Sequence, residues 1–162
     1  MVRTMENLSL TPLDRGLLRL MRIRGAFAGG IILAAATAGE IWLRTRIDLP
    51  WGVFLAPALL VLSYLALWAP PRRYRAWGYA MDSDELQVGR GVWVRVLTVV
   101  PLDRVQHIDL SQGPLERALG ICSLVLHTAG TLHSQIVVPG LTRATAEWMR
   151  DEIRGRIREE PA

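Results

Sequence analysis

The sequence predicts a membrane-anchored α+β protein, in which a transmembrane helical hairpin precedes a small β-roll or barrel closed by a C-terminal helix. Three observations lead to this fold class: two long apolar runs, short alternating segments between turn residues, and an amphipathic stretch at the end. The hydrophobic content of 51% is high for a soluble domain, and the excess lies between residues 25 and 69. The two halves of the chain therefore require different solvents.

Two apolar runs, residues 25–43 and 51–69, predict a pair of transmembrane helices. Each run is long enough for a helix to cross the hydrocarbon layer, which is about 30 Å thick. A cleaved signal peptide is a poor alternative for the first run, because a second run follows it directly. Residues 44–50 between the runs are too few for a domain, so we expect an antiparallel hairpin over residues 25–71.

Side-chain chemistry adds three expectations for this hairpin. Glu40, the single charge within the spans, lies near a span end, and we expect it to pair with Arg44 one helical turn later. Pro70 and Pro71 lack a backbone N–H and are expected to end the second helix. Small residues at every fourth position predict a face that packs against the second helix, with packing against a partner protein's helix as the alternative. They are Ala26, Gly30, Ala34 and Ala38.

The arginines around the spans predict the orientation of the hairpin. Seven lie on its outer flanks, against Arg44 and Arg46 in the connecting turn. By the positive-inside rule, we expect a multi-pass membrane protein with both termini in the cytoplasm. The flanking residues that we single out are Arg22, Arg24, Arg72, Arg73 and Arg75.

The formal net charge of +4 is concentrated at one of these flanks. Residues 1–24 hold five arginines and two acids, whereas residues 70–162 hold twelve arginines and eleven acids. This distribution argues against a nucleic-acid partner, which would require a basic surface on the folded domain. Residues 1–24 are expected to form a cytoplasmic or interfacial segment, whose amphipathic part lies in the lipid headgroup layer.

The pattern of residues 72–162 predicts a β domain. Its last segment, residues 142–159, has apolar residues at helical spacing and charges on the other side, which predicts an amphipathic helix with Thr142 as its N-cap. The expected strands are 77–81, 85–89, 92–100, 104–110, 121–128 and 134–138.

Two segments of this domain match the sequence pattern of a known family. They are VPLDRVQ at residues 100–106 and GPLERALGI at residues 113–121. The chain resembles the bacterial PH-like family of YdbS type, in which a membrane hairpin precedes a domain similar to pleckstrin-homology domains. The resemblance implies a PH-like β-roll and implies no particular ligand or reaction. The matched residues, taken as candidate interaction or structural positions, are Pro101, Arg104, Gln106, Glu116, Arg117 and Gly120.

We expect the matched residues to act through hydrogen bonds rather than through catalysis. Arg104 and Gln106 are expected to alternate onto one strand face, where they can hold a loop or the Glu116 carboxylate. Direct contact of these side chains with a partner is the alternative.

The sequence contains no phosphate-binding loop, no zinc-protease motif, no nucleophile elbow and no dinucleotide-binding glycine pattern. We therefore expect no enzymatic activity, no cofactor and no metal. His107, His127 and His133 are expected to be ordinary strand histidines, although two of them can meet across strands. Cys122, the single cysteine, is expected to be a buried thiol.

Two classes of function agree with these expectations. The first is a non-enzymatic module for protein–protein interaction or scaffolding at the cytoplasmic membrane face, with a membrane protein that carries related PH-like domains, or a second copy, as partner. The second is binding of anionic lipid headgroups, for which the early loops are poorly suited, because Arg90 and Arg95 accompany three acids, Asp82, Asp84 and Glu85. A component of a transport or resistance complex is a weaker alternative.

Overall fold

The computed structural model describes residues 10–48, 50–128 and 135–159. The chain divides into two compact units. The helical unit consists of residues 18–72, and the β unit consists of the residues up to Leu17 and from Arg73 onward. The membrane-anchored α+β architecture predicted from the sequence is confirmed.

The helical unit contains two long apolar helices. Helix α1 spans Arg15–Arg44. The second helix, Leu55–Arg75, consists of α2 at Leu55–Ser63, a π-helical segment at Tyr64–Trp68 and α3 at Ala69–Arg75. Both long helices are apolar and long enough to cross a membrane, and few of their side chains are buried within the protein.

The second helix continues through Pro70 and Pro71, so the prediction that these prolines end it is wrong. They lie in the first turn of α3, directly after the π-helical segment. The N–H of Ala69 donates to the carbonyl of Tyr64, five residues earlier. This wider turn shifts the hydrogen-bond register where the prolines supply no donor, and such local adjustments allow proline within membrane helices.

Glycines that were not singled out form the close contact between the two helices. A Cβ added at Gly29 would lie 2.5 Å from Leu62 Cδ1 and 2.9 Å from its Cα, so only glycine permits this approach. The predicted face is instead exposed, and Gly30 has open space beside it. The packed face is one position earlier and includes Gly25 and Gly29, where an added Cβ would meet the second helix. The exposed residues are Ala26, Gly30, Ala34 and Ala38.

Glu40 is buried and holds the beginning of the second helix. Its carboxylate accepts hydrogen bonds from the backbone N–H groups of Gly52 at 2.5 Å, and of Phe54 and Leu55 at 3.2 Å each. These groups belong to the turn and first residues of a helix, where N–H donors lack intrahelical partners. The expected ion pair with Arg44 does not form within the described residues. The Arg44 guanidinium instead lies 3.5 Å from the ring centroid of Trp51.

The β unit is built from two antiparallel three-stranded sheets, with strand orders β1-β2-β3 and β4-β5-β6. A 3-10 turn, Leu102–Arg104, connects the two sheets. The strands are β1 Gly78–Met81, β2 Glu85–Arg90, β3 Val96–Pro101, β4 Val105–Ser111, β5 Ile121–Thr128 and β6 Gln135–Thr142. All six predicted strands are present within a few residues of their expected positions, and Ser134 lies outside the described residues.

The core of the β unit draws on both sheets and on the C-terminal helix. Helix α4 spans Pro114–Ala118, and helix α5 spans Arg143–Glu159. The predicted cap of α5 is confirmed, since the N–H of Thr145 donates to the hydroxyl of Thr142 at 3.2 Å. The residues that are almost fully buried include Leu86, Leu124, Leu126, Val138, Ala146, Met149 and Ile153.

Residues 10–17 are part of the β unit, which differs from the interfacial segment predicted over residues 1–24. Thr11 and Tyr79 exchange two backbone hydrogen bonds, of 2.7 and 3.1 Å, and so extend the first sheet beyond β1. Leu13 and Leu17 are each only 4% exposed. The apolar face that was expected to enter the headgroup layer is covered by protein at these two positions.

A glycine in β6 allows this N-terminal segment to pack. Gly140 has φ +64°, a left-handed conformation that favours glycine, and an added Cβ would lie 2.5 Å from Leu17 Cβ. The N–H of Asp14 donates to the carbonyl of Gly140 at 2.9 Å. The segment is therefore fastened to both sheets, to the first at Tyr79 and to the second at Gly140.

Replacing Glu40 should loosen the beginning of the second helix. We expect Glu40→Ala to expose the amides of Gly52, Phe54 and Leu55 to exchange, because three N–H donors lose their acceptor. Glu40→Gln should give an intermediate effect, since its single oxygen cannot accept all three hydrogen bonds. Hydrogen exchange of the full-length protein in detergent, followed by mass spectrometry over residues 50–60, measures this effect.

The matched control is Asp48→Asn, which removes an exposed carboxylate from the same connection. It should leave exchange over residues 50–60 unchanged. Wild-type exchange in Glu40→Ala would contradict the capping role.

Candidate functional site

The first matched segment forms the passage from one sheet to the other. Pro101 is the exposed last residue of β3, and the 3-10 turn that follows places Leu102 in the core, where it is 3% exposed. The N–H of Leu102 donates to the carbonyl of Asp84 at 2.9 Å. Arg104 ends the turn and is exposed. The segment has a clear structural role through Leu102, which leaves the Arg104 side chain directed away from the core.

The second matched segment forms a short capped helix that leads into β5. The Glu116 carboxylate accepts a hydrogen bond from the N–H of Gly113 at 2.7 Å and so satisfies a backbone donor at the N-terminus of α4. Its other oxygen lies 3.5 Å from the Ser123 hydroxyl. Gly120 follows the helix with φ +69°, and Arg117 is exposed. Glu116 and Gly120 thus shape the backbone.

The two matched segments do not meet through the expected hydrogen bonds. Arg104 lies in the 3-10 turn rather than on a strand, and Gln106 lies at a register shift between Val105 and His107. A bulge of this kind interrupts the regular alternation of side chains, so Arg104 and Gln106 do not share one face of a strand. Within the described residues, neither side chain hydrogen-bonds to Glu116. Arg104 and Gln106 are instead exposed side chains of the β unit.

Two histidines meet across β4 and β5. His107 and His127 are direct partners in the register, and both ring Nε2 atoms approach the carboxylate of Asp109, at 2.9 and 3.3 Å. The three side chains are 68%, 39% and 52% exposed, respectively. In the described part of the chain, no group of three His, Cys, Asp or Glu residues has the geometry to hold a metal ion. His133 lies outside the described residues.

Cys122 is buried at the start of β5, as expected from the sequence. Its sulfur lies 3.7 Å from the carbonyl oxygen of Leu141. Burial raises the pKa of this thiol, and the nearby Glu116 carboxylate acts in the same direction. A thiol with a raised pKa carries little thiolate at neutral pH, so Cys122 is poorly suited to nucleophilic chemistry.

The outer edge of β3 is open. This strand pairs with β2 alone among residues 10–48, 50–128 and 135–159. From Val96 to Val100 it carries no charged side chain, and Val96 and Val99 are 42% and 45% exposed. These two valines lie on opposite faces of the sheet, because side chains alternate along a strand. The edge therefore offers apolar surface on both faces next to backbone groups that can accept another strand.

An exposed apolar tip joins β2 to β3. We call residues 91–95 the β2–β3 tip; in it, Trp93 is 95% exposed and Val94 is 74% exposed. The sequence reasoning missed it by assigning residues 92–100 to one strand, which in the structure begins only at Val96. The glycine before the run and the unbroken apolar triplet Val92-Trp93-Val94, where a half-buried strand would alternate, were the signals that could have identified it.

The structure separates charges that the sequence reasoning had grouped together. Arg90 directly precedes the β2–β3 tip and Arg95 is its last residue, whereas Asp82 and Asp84 lie in the turn before β2. The six residues of β2 put these two ends about 17 Å apart, at about 3.3 Å per residue. The arginines are thus not neutralised by these acids, and the objection that the early loops form a mixed-charge surface does not apply to the tip.

The membrane-flank arginines are all exposed, and none forms an ion pair with another described residue. Within the helical unit, the Arg72 guanidinium lies 5.2 Å from the ring centroid of Trp68, which is the distance of a cation–π contact. These side chains are available to lipid headgroups. They are Arg22, Arg24, Arg72, Arg73 and Arg75.

Comparison with known proteins identifies a family and a relative that this chain resembles. Residues 26–157 match the bacterial PH domain family. The chain is also 36% identical over 84 residues to the transmembrane protein YdbS of Bacillus subtilis (strain 168). The aligned part is 52% of this chain and 51% of YdbS, so the chain spans about half the length of this curated relative. No solved structure matches the chain.

The thiol of Cys122 should resist modification in the folded protein. We expect little maleimide adduct at neutral pH and full reaction after denaturation, because burial both blocks access and raises the thiol pKa. In the folded protein, the pH at which the labelling rate reaches half of its maximum should lie above about 8.5, the value for an ordinary cysteine. Intact-mass measurement of the full-length protein in detergent detects the adduct, and complete labelling without denaturant at neutral pH would contradict this prediction.

Proposed function

Because the chain belongs to the bacterial PH domain family, we propose that this transmembrane protein is a non-catalytic interaction module whose β unit binds another protein through the open edge of β3. The module is anchored in the membrane by α1 and the second helix. Its role is to hold a partner at the membrane surface rather than to transform a substrate.

The apolar open edge of β3 is the observation that carries this proposal. Natural sheets protect their edges with charged side chains, prolines, bulges or covering segments, because an unpaired edge readily accepts a foreign strand. Along β3 only the final residue, Pro101, offers such protection in the described structure. The outer edge of β4, in contrast, carries His107, Asp109 and the bulge at Gln106. An apolar, unguarded edge suits a partner that adds a strand and places alternate side chains beside Val96 and Val99.

The partner we propose is a membrane protein that carries a related PH-like domain. Such a domain has an edge strand of the same kind, which can pair with β3 through backbone hydrogen bonds. Anchoring both proteins in one membrane raises their effective concentration, so a modest contact area is enough. A second copy of this chain can supply the same strand by two-fold symmetry and is the alternative partner.

The orientation belongs to the same proposal. Both termini and the β unit lie in the cytoplasm, in a multi-pass arrangement with the connection around Arg44 and Arg46 on the other side. The support for this arrangement is the excess of flanking arginines over those in the connection.

Charge on the β3 edge should release the partner. We expect a protein that co-purifies near stoichiometrically with tagged full-length wild type, from native membranes in mild detergent, to be reduced about tenfold or more in Val99→Lys, as for loss of a central interface contact. Mass spectrometry of the eluted proteins and lipids measures both kinds of partner. Val96→Lys tests the other face of the same edge.

The matched control is Val137→Lys, which places the same charge at a 39% exposed valine on β6. It should retain the partner, and equal melting temperatures of the three variants would exclude unfolding as the cause of loss. Retention in both β3 variants, loss only in Val137→Lys, or enrichment of anionic lipid with no stoichiometric protein would each overturn the proposal.

A further inference from the structure

The exposed apolar side chains of the β2–β3 tip are not explained by the open edge of β3. The ladder between β2 and β3 extends to the pair Arg90 and Val96, so the tip projects from a fully paired hairpin. Its apolar side chains are not needed by the core, which is filled by other residues of β2 and β3 such as Leu86 and Val100. A tip of this kind keeps large apolar surface in water unless something covers it.

The tip has a tryptophan at its centre and an arginine on either side. These residues indicate what kind of surface can cover it. Indole rings concentrate at the boundary between lipid headgroups and acyl chains, where the ring enters the apolar phase and the N–H remains near water. Arg90 and Arg95 are exposed, and their guanidinium groups can bind phosphate oxygens. The tip therefore combines an apolar insertion group with two cations at its base.

We propose that the β2–β3 tip inserts Trp93, with Val92 and Val94, into the headgroup boundary of an anionic bilayer, while Arg90 and Arg95 bind lipid phosphates. This inference is independent of the proposed protein contact at β3. It assigns the β unit a lipid contact of its own, in addition to the anchoring helices.

A bilayer is the cover that the structure favours over a protein groove. The same chain carries two helices able to cross a membrane, so the tip operates at an effective lipid concentration that a soluble domain never meets. The nearest acids along the chain are Glu85, at the far end of β2, and Asp103, beyond the far end of β3, and the charge of the tip is therefore complementary to anionic headgroups. A second copy or another protein that covers the tip is an outcome that the test must separate.

A fluorescent probe at position 94 tests the insertion in the full-length protein. Val94→Cys is labelled with an environment-sensitive dye, which the buried Cys122 should not take up. The protein is reconstituted into vesicles of phosphatidylcholine alone or mixed with phosphatidylglycerol, with or without lipids that carry a quencher on the acyl chain. Trp148→Cys, on the exposed side of α5, provides the matched control position, because Trp148 is 56% exposed.

We expect the probe at position 94 to shift to shorter wavelength and to be quenched by the labelled lipids in the anionic vesicles, and the probe at position 148 to do neither. Replacing Trp93 with serine should abolish the quenching. Each of Arg90→Gln and Arg95→Gln should lower the ratio of inserted to free tip about fivefold, as for loss of one phosphate-attracted charge.

Two results would overturn the inference. One is a probe at position 94 that is quenched by lipids no more than the probe at position 148. The other is a short-wavelength emission that persists in detergent and resists lipid quenching, which would mean that protein rather than lipid covers the tip.

Discussion

Every backbone N–H and C=O group that leaves water needs a partner, and this constraint governs both units of the protein. In the helical unit, the N-terminus of the second helix would begin with unpaired donors near the apolar phase, and the buried Glu40 carboxylate supplies the acceptor for three of them. The π-helical turn at Tyr64–Trp68 shifts the hydrogen-bond register directly before Pro70 and Pro71, which provide no donor. Along the outer edge of β3, no described residue pairs with the backbone groups, and we propose this edge as the functional surface.

The β unit shows how the family's matched residues divide between structure and surface. Leu102, Glu116 and Gly120 shape the passage between the sheets and the entry into β5, so a sequence pattern at these positions reports the fold. Arg104, Gln106 and Arg117 are exposed and bind nothing within the described residues. The apolar surfaces at β3 and at the β2–β3 tip belong to neither group, and they are the features that suit a partner and a bilayer.

Local patterns predicted most of the elements, and contacts between distant residues account for what was missed. The predicted cap at Thr142 involves near neighbours in sequence, and it is present. The packing of Leu17 against Gly140 joins residues far apart in sequence. The sequence alone therefore favoured a lipid contact for the amphipathic segment before the first apolar run. Glu40 offers a similar lesson, because its partners begin twelve residues later. The candidate surfaces could not be predicted, since openness of an edge depends on which strands pair.

Photocrosslinking in living cells shows whether a protein partner adds a strand to β3. A photoreactive phenylalanine analogue is placed at position 99 of the full-length protein, with position 137 on β6 as the comparison. We expect a discrete adduct of higher mass, which contains a second polypeptide, at position 99 and no such adduct at position 137. Absence of any protein adduct at position 99, with full-length protein present in the membrane, would contradict it.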